Sequence, residues 1–262
     1  MSVTKPLLLN ETGEAIVEAL QDLAGGKKIQ QIIDTVGLSH NGIYRGKFLG
    51  VFASVADVEA FLSEHNVASG KFTDLYLGDY VTINDGTYNK DWEIVAFEHY
   101  LHKGDAGFTD HHAVLMPKVN LTTSYMNSTN TTDGSYPGSY MYSTIIPRIN
   151  TALETVLGEH LLSHRVLLST ATNKWAWYTV KACLANEVEV YGSRIWGTSY
   201  DSGTSCKKLP LFNFRGVSDN RESYWLRDVY SSTDFANVGN IGNASNGSAS
   251  HVSGVRPLIC LG

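Results

Sequence analysis

Between residues 231 and 254 the chain reads SSTDFANVGNIGNASNGSASHVSG, and 14 of these 24 positions are Ser, Asn or Gly. Asn recurs at 237, 240, 243 and 246, every third residue. Composition alone would make this run a linker. Its flanks oppose that reading. Tyr224-Trp225-Leu226-Arg227 precedes it and Gly254-Val255-Arg256-Pro257-Leu258 follows it. Each flank is an apolar stretch with a single Arg, the pattern of a buried anchor. A long irregular loop pinned at both ends inside a compact domain is usually functional. Tyr, Ser, Asn and Gly are also the residues of adaptable binding surfaces, where Tyr supplies contact area and the small polar residues supply hydrogen bonds.

The rest of the chain can build the body that such a loop needs. It has 262 residues, 43% of them hydrophobic and only 18% charged. That length suits one large domain, or one domain plus a smaller module. With 20 Lys and Arg against 26 Asp and Glu the formal net charge is −6. An acidic chain without a basic block is a poor match for the phosphates of nucleic acid. No apolar run approaches the length that spans a bilayer, so membrane insertion is not expected. The N-terminus, MSVTKPLLLNETGEAIVEAL, lacks the long apolar core of a signal peptide, which predicts synthesis in the cytoplasm.

Hydrophobic periodicity divides the chain. Residues 10–24 and 29–36 read as short helices, and Val55, Val58, Phe61 and Leu62 mark another between Ser54 and His65. From Phe72 the period changes to two. Strands are predicted over 75–77, 80–83, 92–101 and 112–116, separated by turns at Asn84-Asp85-Gly86 and Lys103-Gly104-Asp105. Residues 119–140 read as a long polar loop and 142–157 as a helix with Ile145, Ile149, Leu153 and Val156 buried. Segments 164–169, 178–181 and 186–191 read as strands or a helix end, and the tail after Gly192 as irregular, interrupted by Leu209-Pro-Leu-Phe212, Tyr224-Trp-Leu226 and Val255 to Leu261. The expected organisation is an attachment or oligomerisation module over 1–69 and an α+β ligand-binding domain over 70–262.

Catalytic and metal motifs are sparse. The chain has no Gly-x-Ser-x-Gly elbow, no phosphate-binding Gly loop and no His-Glu-x-x-His. Glu187 and Glu189 are two apart and would share one side of a strand, a pair able to serve glycoside hydrolysis. His99 and His102, like His111 and His112, would point to opposite faces of a strand, so they do not make a metal site. Asp105, Asp110 and Asp133 are loop acids without the dense oxygen-ligand run of a calcium loop. Cys183, Cys206 and Cys260 are odd in number and widely spaced, which predicts free buried thiols. No catalytic residue, metal or cofactor is expected.

The order of several motifs resembles a known family. Phe72-Thr-Asp-Leu-Tyr-Leu-Gly-Asp79, Trp92, His111-His-Ala-Val-Leu-Met-Pro117, Met126-Asn-Ser-Thr-Asn130, Gly138-Ser-Tyr-Met141 and Glu187-Val-Glu-Val-Tyr-Gly192 lead to Tyr224-Trp-Leu-Arg-Asp228 and Gly254-Val-Arg-Pro257. This set resembles a widespread phage and prophage protein family, and Lys5-Pro-Leu-Leu-Leu9 resembles the openings of phage tail proteins. The resemblance implies a C-type-lectin-like domain of the formylglycine-generating-enzyme-like subtype, as in the variable proteins of diversity-generating retroelements. Those proteins show a hypervariable ligand-binding face on a fixed scaffold, and adenine-directed change of Asn codons yields the residue palette seen from Tyr230 to His251. The paired active-site cysteines of formylglycine-generating enzymes have no recognisable counterpart at Cys206 and Cys260, so that activity does not carry over.

On this reading Tyr230, Asp234, Asn237, Asn240, Asn243, Asn246 and His251 form the ligand surface, with Tyr200, Asp201 and Asn213 extending it. Trp225, Arg227 and Arg256 are scaffold. The expected partners are a protein or glycan receptor on a bacterial surface and, through the N-terminal module, other proteins of the virion tail. The resemblance also implies a homo-oligomer, with three copies favoured. A tail enzyme that degrades surface glycans and a cellular adhesion protein of the same fold are the rival readings.

Overall fold

The computed structural model describes residues 43–171, 173–197, 207–218 and 220–262. The helices expected over 10–24 and 29–36, together with Tyr200, Asp201 and Cys206, lie outside the described residues. The fold is α+β with sheets dominant. In chain order its strands begin with β1 (Phe48–Phe52), β2 (Tyr80–Ile83), β3 (Lys90–Phe97), β4 (Ala113–Pro117) and β5 (Thr122–Ser124). Then come β6 (Leu161–Leu162), β7 (His164–Ala171), β8 (Lys174–Val180) and β9 (Ala182–Leu184). The last five are β10 (Tyr224–Val229), β11 (Asp234–Val238), β12 (Ala244–Ser248), β13 (Ser253–Val255) and β14 (Pro257–Leu261). The helices are α1 (Val55–Glu64), α2 (Ile146–Leu157) and the single turn α3 (Glu187–Tyr191).

Seven strands make the larger sheet, in the order β1-β2-β3-β4-β14-β6, with β9 also pairing with β14. β4 and β14 are buried along their whole length, as their unbroken apolar sequences Ala-Val-Leu-Met-Pro and Pro-Leu-Ile-Cys-Leu require. α1 starts at Ser54, whose hydroxyl accepts from the Asp57 N–H, and buries Val58, Phe61 and Leu62. α2 buries Ile146, Ile149, Leu153 and Val156, and ends at Gly158 with φ +56°. α1 and α2 pack against each other over one continuous apolar core.

Three expectations change here. β1 pairs in parallel with β2, so residues 48–69 are built into the same body as the rest. The boundary expected at 69/70 therefore falls inside the domain, because the β1 edge and α1 bury their apolar side chains on it. Residues 75–77 are not a strand; only Leu77 bridges Tyr44. Residues 187–191 form a helix, closed at its start by Asn186 and Glu189 bonding each other's backbone N–H groups.

The larger correction concerns the tail. The run expected to be irregular holds the second sheet, ordered β12-β11-β10-β13-β5. β11 and β12 form an antiparallel hairpin with five aligned pairs from Asp234↔Ser248 to Val238↔Ala244. The polar loop at 119–140 supplies β5, which pairs with β13, and buries Met126 and Tyr136. β7 and β8 pair only with each other, as a ribbon beside the two sheets. No helix among the described residues is long and apolar enough to cross a membrane.

Candidate functional site

The hairpin is seated on the two flanks that bracket it in sequence. Trp225 is fully buried, and its indole N–H donates to the Ser124 carbonyl at 2.8 Å. Trp225 lies opposite Asn237 in the β10–β11 ladder. An added Cβ on Gly247 would come 3.1 Å from the indole, so the glycine lets β12 close over that ring. His251 meets the same indole edge-on at 6.4 Å. On the other flank, Arg256 is buried with its Nε donating to the Pro117 carbonyl at 2.9 Å and its guanidinium 4.7 Å above the Tyr224 ring. Its Nη2 lies 3.8 Å from Glu93, which also pairs with Arg215.

Gly254 is part of this seat. A Cβ there would overlap the Asn120 carboxamide, whose amide donates to the Ser223 carbonyl at 3.2 Å. Gly254→Ala is therefore expected to cost about 1–3 kcal/mol, as an overpacked core does. Combining it with Asn120→Ala should restore part of the loss, which urea unfolding of the three variants would measure.

Arg227 is the centre of a buried polar network. Its Nη1 donates to the Leu184 carbonyl at 2.6 Å and to Glu189 at 2.7 Å. Glu189 also accepts from the Tyr100 hydroxyl at 2.6 Å and from the Asn186 N–H at 2.9 Å. Burial works to raise the Glu189 pKa, but Arg227, His99 and Tyr100 outweigh it and hold the carboxyl well below its ordinary range. Glu187 is as deeply buried and accepts from the N–H groups of Ile195, Trp196 and Gly197. The two glutamates expected to share a strand face thus sit on a helical turn, with both carboxylates bonded inside the protein. They do not form a solvent-reachable acid–base pair.

Glu187 nevertheless shapes the surface. The loop it gathers carries Trp196, whose ring meets Tyr230 edge-on at 5.2 Å and 79°. Tyr230 follows β10 and is 36% exposed. It borders a cleft of about 390 Å³ lined by Thr132–Ser135, by Ser169 and Ala171 at the tip of the β7–β8 ribbon, and by Val229–Ser232. A shallower groove of about 550 Å³ runs along the hairpin's outer edge, lined by Asn237, Asn246–Ser248, Ser250 and His251. β12 is the outermost strand, so one row of its backbone groups is open to pairing there.

The predicted ligand residues do not all share one face. Spacing of three in a strand alternates sides, and Asn246 lies opposite Ala236 while Asn237 lies opposite Ser245. Asn237 is largely buried in β11, although it still lines the groove beside His251. Asn240 and Asn243 are exposed in the turn, next to Ile241, which is 73% exposed. Asp234 closes the preceding turn, accepting from the Ser231 and Thr233 hydroxyls at 2.6 and 2.7 Å, and these bonds lower its pKa. Asn213 is exposed but belongs to a turn, Pro210–Asn213, packed against β3. Trp225, Arg227 and Arg256 are all buried.

The four histidines weighed as metal ligands, His99, His102, His111 and His112, fall outside strands. β3 ends at Phe97, and His99, His102 and His111 sit in the connection to β4. Among the described residues no three His, Cys, Asp or Glu side chains are placed to hold a metal ion. Cys183 and Cys260 are free and buried. The Cys260 sulfur lies 3.7 Å from His164, but burial pushes the thiol pKa up and the imidazole pKa down to about 3. Neither member of that pair is charged at neutral pH, so it is not an activated nucleophile. Sequence reasoning missed Trp196 and the cleft walls at Thr132–Ser135 and Ser169–Ala171, because no motif links these distant segments. Comparison with family models, with curated proteins and with solved structures gives no match.

Proposed function

We propose that this chain is a ligand-binding protein of a phage or prophage tail, recognising a receptor on a bacterial surface through the β11–β12 hairpin and the loops beside it. The observation that carries the reading is the seating of a half-exposed Asn/Ser/Gly hairpin on the buried Trp225 indole, between two buried arginines. Recognition works by shape and hydrogen bonding from a low-charge surface. Weak single contacts are multiplied when several copies, three in the favoured arrangement, engage one cell.

The C-type-lectin-like classification belongs to the same proposal. Its support is that many of the residues that carry the family resemblance are buried, among them Phe72, Leu75, Tyr76, Leu77, Asp79, Trp92, His112, Met116, Met126, Met141, Glu187 and Glu189. They are scaffold, whereas the hairpin departs in composition and is partly exposed along β12 and its turn. Attachment to other tail proteins is assigned to the N-terminal residues, and synthesis to the host cytoplasm. The rival glycan-degrading reading loses its carboxylate pair to the interior.

The test replaces Tyr230, Asn240, Asn246 and His251 by Ala together. Each is at least partly exposed, so each is expected to change stability by no more than about 0.5 kcal/mol. Binding of the labelled protein to isolated host envelopes should be lost while the melting curve stays in place. Undiminished envelope binding would overturn the assignment of the face.

A further inference from the structure

We propose that the cleft beside Tyr230 takes one neutral hexose unit of a surface glycan, recognised by the Tyr230 ring and the Asp133 carboxylate. The inference rests on the receptor-binding reading and names the chemical class of its ligand.

Size comes first. About 390 Å³ lies in the lower part of the range of roughly 300–1,000 Å³ typical of small-ligand pockets. Charge comes next. Among the described residues no Lys, Arg or His lines the cleft, so a phosphate, sulfate or uronate would enter without a counter-charge from them. The walls carry more apolar than polar surface, with the Tyr230 ring, Val229 and Ala171 among them, beside hydroxyl and backbone groups.

Most of the wall is already committed. Thr132 donates to the Ser231 carbonyl at 2.7 Å, Ser169 to the Ala171 carbonyl at 3.2 Å, and the Ser231 hydroxyl to Asp234. These bonds fix the cleft's shape without a ligand. Asp133 is different. Its backbone N–H donates to the Thr131 hydroxyl at 3.2 Å, but among the described residues no cation pairs with its exposed carboxylate. An ionised carboxylate only accepts, so its partner must bring donors. The vicinal hydroxyls of a sugar do so. Its C–H face packs on an aromatic ring, and Tyr230 is already oriented by its edge contact with Trp196. Preorganised groups of this kind lower the ordering cost of binding.

Saturation-transfer NMR on the full chain tests this with the methyl glycosides of glucose, galactose and mannose, beside methyl glucuronide and ethanolamine. At least one neutral glycoside should be saturated, and the glucuronide should not. Tyr230→Ala and Asp133→Ala, each with an unchanged melting curve, should weaken that glycoside roughly tenfold, the loss of one good contact. Saturation of ethanolamine alone, of the glucuronide alone, or of no probe would overturn the inference. So would neutral-glycoside binding that both variants retain. Envelope binding is measured on the same samples. Envelope binding that depends on the hairpin, without any saturated glycoside, sinks the sugar assignment and leaves the receptor reading standing. Absent envelope binding with a saturated, Tyr230-dependent glycoside does the reverse.

Discussion

Arg227→Ala is expected to destabilise the domain by about 3–5 kcal/mol, because it strands a buried carboxylate. Glu189 would keep the Tyr100 hydroxyl and the Asn186 N–H but lose the Arg227 guanidinium, at 2.7 Å, in the interior. Against a total stability of roughly 5–15 kcal/mol that is a large fraction. The effect should reach the surface as well. Arg227 is part of β10, and the hairpin hangs on β10 through the pairs Tyr224↔Val238, Trp225↔Asn237 and Val229↔Phe235. Replacing both members, with Arg227→Met and Glu189→Leu, should cost less than the sum of the single changes, since no charge is then left unpaired. Guanidinium unfolding of the four proteins measures the coupling. Strict additivity would mean that the pair does not act as a unit.

Acid should unfold this protein early. His164 is fully buried, stacked on Tyr100 at 4.4 Å and tilted against Phe108 at 5.8 Å, beside Cys260. Burial lowers its pKa from 6.5 to about 3, with His112, Arg227 and His99 adding to the shift and Glu189 opposing it. His112 is lowered as well, again chiefly by burial. Above pH 6.5 both the folded and the unfolded states carry neutral rings, and nothing is lost. As pH falls below 6.5 the unfolded chain takes up a proton that the native state refuses until near pH 3. Stability therefore drops through that window, by about 1.4 kcal/mol per pH unit for His164. By pH 4.5 the loss from this residue approaches about 3 kcal/mol. Once pH falls below the unfolded carboxyl's pKa Glu189 adds to it, since the stability its depressed pKa contributes is lost progressively from there toward the folded pKa. His164→Phe keeps a ring in the stack and should flatten the slope between pH 6.5 and 4.5. A wild-type protein that is equally stable at both pH values would contradict the buried-neutral reading.

Much of the larger sheet was legible because its signals are local. Tyr80-Val-Thr-Ile83 alternates, and Ile149, Leu153 and Val156 repeat at helical spacing, so β2 and α2 could be read without knowing their neighbours. The sequence leaves α3 between a strand and a helix end because Glu-Val-Glu-Val-Tyr alternates. The Asn186-to-Glu189 spacing of a capping box was present and decides the matter once weighed. The hairpin is a different case. Ala-Ser-Asn-Gly-Ser has little intrinsic strand preference, and β12 exists because β11 pairs with it over a Trp that a glycine lets it approach closely. Such a strand is specified by tertiary packing and leaves composition looking like a loop. The regular Asn spacing was visible, but its meaning depended on the backbone. In a helix or loop three residues nearly keep one side, whereas in β11 the spacing turned Asn237 inward.

If a fixed scaffold carries an exchangeable polar face, the two sets of residues should respond differently to selection. Trp225, Arg227, Gly247, Asn240, Ile241, Asn243, Asn246 and His251 are randomised in one displayed library, which is sequenced after selection. Selection for protease resistance alone should return Trp225, Arg227 and Gly247 and leave the other five positions varied. Further selection on host envelopes should then narrow those five. If envelope selection leaves them as varied as folding selection did, the hairpin is not the recognition surface.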